Sequence, residues 1–243
     1  MPTDDFEISA DRVDLWVVPV PALPFDAVLP QVARRLSADE IEAAHRFVAE
    51  RHRVLHAVSH AALRSLIAGY LGSGELDLEI ERGEHGRPEL RGRPLRFNLS
   101  HTDGIAIVGI AATADVGVDV ERADKSRPVD RLARAVFTPA ELDAFDGTPE
   151  TFFTRWTLKE AYAKARGAGL TLGFRSFGFD LLDPPVLECP GEFDDRAAWR
   201  FTSWEPSPGR RAAAAVRSAG ITRWRIRTVD TAAFLNGRPI FGE

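Results

Sequence analysis

Apolar and polar positions along this chain follow one order twice. VDLWVVPV, residues 13–20, fits a first strand, and proline-rich chain follows it. LSADEIEAAHRFV then opens with Ser37, whose side chain can accept from the backbone while Glu40 reaches back, the signature of a capping box at a helix start. Leu55, Val58, Ala62, Leu66, Ile67 and Tyr70 recur at helical spacing and predict a longer helix from about residue 50 to residue 70. LGSG breaks it, and LDLEI, 76–80, alternates like a half-buried strand.

The second half replays this order. FTPAELDAF places Thr138 as N-cap, Pro139 at the first helical position and Glu141 at the third. A longer helix follows, then glycines at 167 and 169, then the alternating stretch SFGFDLL from 176. Ser37 and Thr138 are offset by 101 residues, and Gly69 and Gly169 by 100, although residue identities barely match. The reading is an α+β chain of two similar halves about a pseudo-twofold axis, 1–112 and 113–243, joined near 111–115. A ligand cleft is expected between them. AWRFTSW and TRWRIRTV suggest further strands in a C-terminal extension.

Composition narrows the class. With 243 residues, 44% hydrophobic and 28% charged, the chain can bury a substantial core. Its formal net charge of −5 argues against a protein that coats nucleic acid. A single cysteine, Cys189, excludes an intrachain disulfide and a cysteine-built metal site. The acidic start MPTDDFEISADRVD has no apolar core of a signal peptide, and no run approaches a membrane span, so a soluble, cytoplasmic protein is expected.

The candidate chemistry lies just past the join. In DVGVDVER, 115–122, valines alternate with acids, so Asp119 and Glu121 share one side of a strand. Taken alone, this is a strand with its acids in solvent. FFTRWTLKEAYAKARGAGL, 152–170, changes the picture by setting Glu160 on a helix whose Phe152, Phe153 and Trp156 belong in a core. An acid on such a helix needs a counter-charge. Three carboxylates from strand and helix would suit Mg²⁺, which keeps part of its shell for phosphate oxygens, so a pyrophosphate ligand is expected. Lys164 lies one turn beyond Glu160, either as a surface pair or as a charge neutraliser for phosphoryl chemistry.

Two other stretches could hold an anion. Ser100 and His101, in RPLRFNLSHTDGIAIVGI, could donate to a phosphate or simply cap a turn. Arg46, Arg51, Arg53 and Arg64 lie among His45, His52, His56 and His60, whose spacing makes no zinc site. No G-x-S-x-G elbow is present, which leaves a serine hydrolase unsupported.

GRP at 86–88, FNLSHTDG at 97–104, VGVDVER at 116–122 and RWTLKEAYAKARGAGL at 155–170 together resemble the 4′-phosphopantetheinyl transferases, in the larger single-chain class that serves peptide and polyketide synthases. The resemblance covers roughly residues 36–182. It implies a pseudodimer of two helix-plus-antiparallel-sheet halves with coenzyme A between them. It further implies that Asp119, Glu121 and Glu160 hold Mg²⁺, that Glu160 takes the proton of a carrier-protein serine, and that Lys164 serves the leaving phosphate. Asp119 thereby also serves coenzyme A, and Lys159 would steer its pyrophosphate. Ser100 and His101 match a pair that contacts the 3′-phosphate, Arg87 stands near the adenine end, and Arg53 and Arg46 supply cations in the first half. Family members carry lysines where ADEIEAAHR offers only Arg46. An acyl or peptidyl carrier protein is the expected partner, docked near Arg134, Phe137 and Arg155, and a monomer suffices. A Mg²⁺-dependent phosphohydrolase and a non-catalytic carrier-binding relative are the alternatives.

Overall fold

Val13, Leu15 and Val17 point to one side of the first strand, β1 (Arg12–Pro19), while Asp14, Trp16 and Val18 point to the other. Because successive side chains alternate, a strand apolar on both faces must be covered on both. In β1 one cover is a helical layer and the other is a second sheet. The computed structural model describes residues 6–83, 86–167, 172–188, 196–218 and 220–240. Cys189 and Gly169 lie outside them.

After β1 come α1 (Phe25–Val32), α2 (Ala38–Arg46), α3 (Glu50–Leu71), β2 (Ile80–Arg82), β3 (Pro88–Leu90), β4 (Arg96–Thr102) and β5 (Ile105–Ala111). The second half repeats that order with β6 (Val116–Arg122), α4 (Val129–Val136), α5 (Pro139–Asp143), α6 (Pro149–Ala165), β7 (Gly178–Asp180), β8 (Val186–Glu188), β9 (Trp199–Trp204) and β10 (Arg210–Arg217). Sheet connectivity repeats too. The first half pairs β1-β5-β4, the second pairs β6-β10-β9, and β2-β3 and β7-β8 form separate antiparallel hairpins. Both expected capping boxes form, Ser37 with Glu40 at α2 and Thr138 with Glu141 at α5.

The two sheets pack through an apolar seam. Leu15, Val17 and Ile107 from the first sheet meet Val116, Val118, Val120 and Val216 of the second. Burying each such side chain stabilises the chain by about 1.5–3 kcal/mol. The long helices α3 and α6 cover the outer faces of the two sheets.

Two expectations need correction. LDLEI does not form a strand over 76–80. Glu75–Asp77 is a 3₁₀ turn, in which the Gly74 N–H donates to the Asp77 carboxylate at 3.2 Å, and the strand begins only at Ile80. The C-terminal extension also does not stay with the second half. Strand β11 (Arg223–Thr228) pairs parallel with β1, and Phe234 and Leu235 of α7 (Thr231–Leu235) join the first-half core. Among the described residues no helix is long and apolar enough to cross a membrane.

Candidate active site

Strand β6 sends its valines into the seam and turns Gly117, Asp119 and Glu121 toward α6. Gly117 fixes how close that helix comes. A Cβ there would stand 2.1 Å from the Ala161 carbonyl oxygen and 2.4 Å from the Ala165 nitrogen, both backbone atoms that cannot swing aside. Ala213 and Ala215, paired with Asp119 and Gly117 across β10, complete a floor of small residues. Helix α6 is capped by Thr148, starts on Pro149 and is anchored by buried Phe152 and Phe153. Its remaining turns lie on the small floor, which brings Glu160 and Lys164 beside Asp119.

The polar contacts follow from that close approach. Lys164 Nζ donates to Asp119 Oδ1 at 2.7 Å, to Ser100 Oγ at 3.0 Å and to the Val118 carbonyl at 3.1 Å. Ser100 Oγ donates in turn to Asp119 Oδ1 at 2.8 Å. Asn98 accepts from the Val118 N–H at 2.9 Å and so ties β4 to β6. Asp119 is therefore not in solvent, being only 5% exposed, and Glu121 is half-buried. Ser100, His101, Asp119, Glu121, Glu160 and Lys164 all line one pocket of about 660 Å³.

The acids in this pocket repel one another. Burial and then the Asp119 charge raise Glu160 to about 7, with Lys164 opposing. Burial and Asp119 also raise Glu121, which accepts a hydrogen bond from Trp156. Asp119 Oδ2 is buried and has no hydrogen-bond partner. An orphaned carboxylate oxygen and two acids pushed toward neutrality are the mark of a place that lacks positive charge. All-oxygen donors suit Mg²⁺. Among the described residues no group of three or more His, Cys, Asp or Glu side chains converges closely enough to hold a metal ion as it stands. The acids fit Mg²⁺ in kind, and ligand oxygens and water would have to complete its shell.

Several expected residues serve elsewhere. Lys159 is fully buried, paired with Glu141 at 2.8 Å and donating to the carbonyls of Phe174 and Phe177, so it cannot steer a ligand in the pocket. Arg87 donates to the carbonyls of Val116, Lys164 and Ala165 and secures the end of α6; it does not line the pocket, whereas Pro88 beside it does. Arg46 is exposed and pairs with Glu42, and Arg53 donates to the Phe47 carbonyl at 2.7 Å; neither lines the pocket. Phe137 and Arg155 are buried and are not docking residues.

Sequence reasoning named Arg64 and His60 within a stretch that could hold an anion, but it did not single them out or join them to Glu40. Glu40, His60 and Arg64 line the pocket opposite the acids. Burial pushes Glu40 up, but hydrogen bonds from His60, the Ser37 N–H and Arg64 hold it down at about 2. Arg64 Nε donates to Glu40 at 2.6 Å, and Arg64 also donates to the carbonyls of Glu75 and Leu78. The signal was present in the numbering, because His60 and Arg64 precede Glu160 and Lys164 by 100 residues, the offset already seen between the halves.

A family model described as the 4′-phosphopantetheinyl transferase superfamily matches residues 115–216. The 4′-phosphopantetheinyl transferase HetI of Nostoc sp. is 30% identical over 222 residues, spanning 88% of this chain and 91% of that protein. A phosphopantetheinyl transferase of Thraustochytrium sp. is 31% identical over 217 residues, or 78% of this chain and 74% of that one. The 4′-phosphopantetheinyl transferase Sfp of Bacillus subtilis is 28% identical over 189 residues, or 73% and 80% of the two chains.

Proposed function

The chain belongs to the 4′-phosphopantetheinyl transferase superfamily, and from that premise we propose that it moves 4′-phosphopantetheine from coenzyme A to a serine of an acyl or peptidyl carrier protein, releasing 3′,5′-ADP. The observation that carries the reading is the convergence of Asp119, Glu121, Glu160 and Lys164 on one wall of the pocket. Asp119, Glu121 and Glu160 would hold Mg²⁺, which when bound supplies charge neutralisation for these acids and for the pyrophosphate.

The rest of the chemistry belongs to the chain. Glu160, beside Asp119 and one helical turn before Lys164, accepts the proton of the carrier serine hydroxyl. The serine oxygen bonds to the β-phosphorus as the bond from that phosphorus to the bridging oxygen breaks, and the electron pair leaves with 3′,5′-ADP. Lys164, held by Asp119, Ser100 and the Val118 carbonyl, places a positive charge beside the departing phosphate. One chain carries both walls of the pocket, which supports action as a monomer.

Intact-mass analysis of a small apo carrier domain incubated with coenzyme A, Mg²⁺ and this protein, beside an EDTA control, tests the reading. The expected result is a metal-dependent gain of one phosphopantetheinyl group. Glu160→Gln should slow transfer by about 10²–10⁴-fold while coenzyme A still binds. Near-wild-type turnover by that variant would remove Glu160 as the proton acceptor. Release of a phosphate product from coenzyme A, with no gain on any carrier, would move the assignment to a hydrolase.

A further inference from the structure

Strand β6 is bonded to a neighbouring strand along one edge, toward β10. At the two ends of that ladder the Ala123 N–H donates to the Gly209 carbonyl at 2.9 Å, and the Arg217 N–H donates to the Asp115 carbonyl at 3.2 Å. These bonds put the odd-numbered residues of β6 in the bonded pairs of the antiparallel register, with Gly117, Asp119 and Glu121 opposite Ala215, Ala213 and Arg211. Main-chain groups alternate from edge to edge, so Val116, Val118 and Val120 turn their N–H and C=O away from β10.

Side chains occupy that outer edge in order. Arg87 donates to the Val116 carbonyl at 2.9 Å, the Val118 N–H donates to Asn98 Oδ1 at 2.9 Å, and Lys164 donates to the Val118 carbonyl at 3.1 Å. Val120 comes next, about 7 Å further along the strand. It lines the pocket, and its side chain is buried in the seam, so it meets the pocket through its main chain. Among the described residues nothing bonds to its outward N–H or C=O. A phosphate could use only the N–H. A ligand that carries one donor and one acceptor at strand-like separation uses both, as a chain added to a sheet edge does.

We propose that the main chain of Val120 is a receptor for a secondary-amide ligand, which adds to β6 as a short extra strand. This rests on the transferase reading, under which the ligand is the pantetheine arm of coenzyme A. The β-alanine unit of that arm presents an N–H and a C=O separated by two methylenes, one carbon more than in an amino-acid residue. Its N–H donates to the Val120 carbonyl, and its C=O accepts from the Val120 N–H. Asp119 and Glu121 flank Val120, so an arm that begins at a pyrophosphate held by those acids starts at this edge. Ile80, Phe97 and Leu99 line the same pocket and give the geminal methyl groups of the arm an apolar surface.

Calorimetry on the wild-type protein with saturating Mg²⁺ tests this by comparing coenzyme A with two analogues. One is N-methylated at the β-alanine nitrogen and the other at the cysteamine nitrogen. Methylation removes the donor and holds the two chains apart, so the first analogue should bind about 10–100-fold more weakly than coenzyme A. The second, altered beyond the paired unit, should bind within about twofold of it. Val120→Pro gives an independent reading, because the N–H it removes faces the pocket and takes no part in the ladder with β10. That variant should bind coenzyme A about tenfold more weakly while 3′,5′-ADP, which has no arm, binds within about twofold of wild type. The analogue pair decides even where proline disturbs the strand. Equal affinity for coenzyme A and the β-alanine analogue would overturn the receptor and leave the transferase intact. Equal losses from both methylations would overturn it too, since they mark crowding of the arm and not pairing. Failure of coenzyme A itself to bind would overturn the transferase reading, and the receptor with it.

Discussion

The two halves share an order of elements but not a floor beneath the long helix. Under α3 the sheet presents Trp16, Val18, Val108, Ile110 and Phe97. Under α6 it presents Gly117, Ala213 and Ala215. Bulky residues hold a helix away from its sheet, whereas residues without side chains let backbone meet backbone. The second half thus gained a helix close enough for Lys164 to reach an acid and a carbonyl on the strand below.

The anchors differ in the same sense. In each half the glutamate of the capping box receives a cation from the long helix, Arg64 to Glu40 and Lys159 to Glu141. By the offset of 100, Arg64 corresponds to Lys164. In the first half the pocket-facing cation is therefore spent on the fold. In the second half the anchor has moved to Lys159, five residues earlier, and Lys164 is released to the pocket. The halves share a scaffold, and the different placement of one ion pair leaves Lys164 facing the pocket.

Breaking the second-half anchor should give the largest effect. Lys159→Met strands Glu141 as a buried charge and should cost about 3–5 kcal/mol, read by denaturant unfolding. A variant that unfolds like wild type but transfers slowly would return Lys159 to the active site. Gly117→Ala should cost about 2–3 kcal/mol, because backbone must move, and should lower transfer by about 10²-fold as α6 is displaced. Alanine tolerated there with full activity would show that the small floor does not set the helix position.

The smallest effect runs the other way. Glu160 has a folded-state proton affinity above its unfolded value, so the fold is most stable with this group protonated. Stability is lost as pH rises from about 4.5 through about 7. In EDTA, Glu160→Gln should therefore gain about 1–2 kcal/mol over wild type at pH 8, allowing for solvent screening, and almost nothing at pH 4. No gain at pH 8 would show that the acids do not repel one another as the pocket geometry demands.

What the sequence revealed was what local chemistry decides. Capping boxes are written within four residues, so Ser37 with Glu40 and Thr138 with Glu141 were legible together with the repeat they mark. The period-two placement of Asp119 and Glu121 and the one-turn spacing of Glu160 and Lys164 were legible for the same reason. Long-range partners were not. Lys159 is adjacent to Glu160 in sequence, and only the return of the chain through Phe174 and Phe177 shows that its side is sealed. Phe137 and Arg155 read as docking residues because the segments that cover them lie elsewhere in the chain. The pairing of β11 with β1 joins residues more than 200 apart, and alternation alone predicts a strand without naming its neighbour.

That last pairing also has a mechanical meaning. Strands β1 and β11 lie side by side and parallel, with Arg12 opposite Arg223 and Val17 opposite Thr228. A pull applied at residue 12 and at residue 228 would slide one strand along the other, loading their hydrogen bonds together instead of opening them one at a time. The pairing acts as a clasp, and stretching the molecule between those points would load the whole clasp at once.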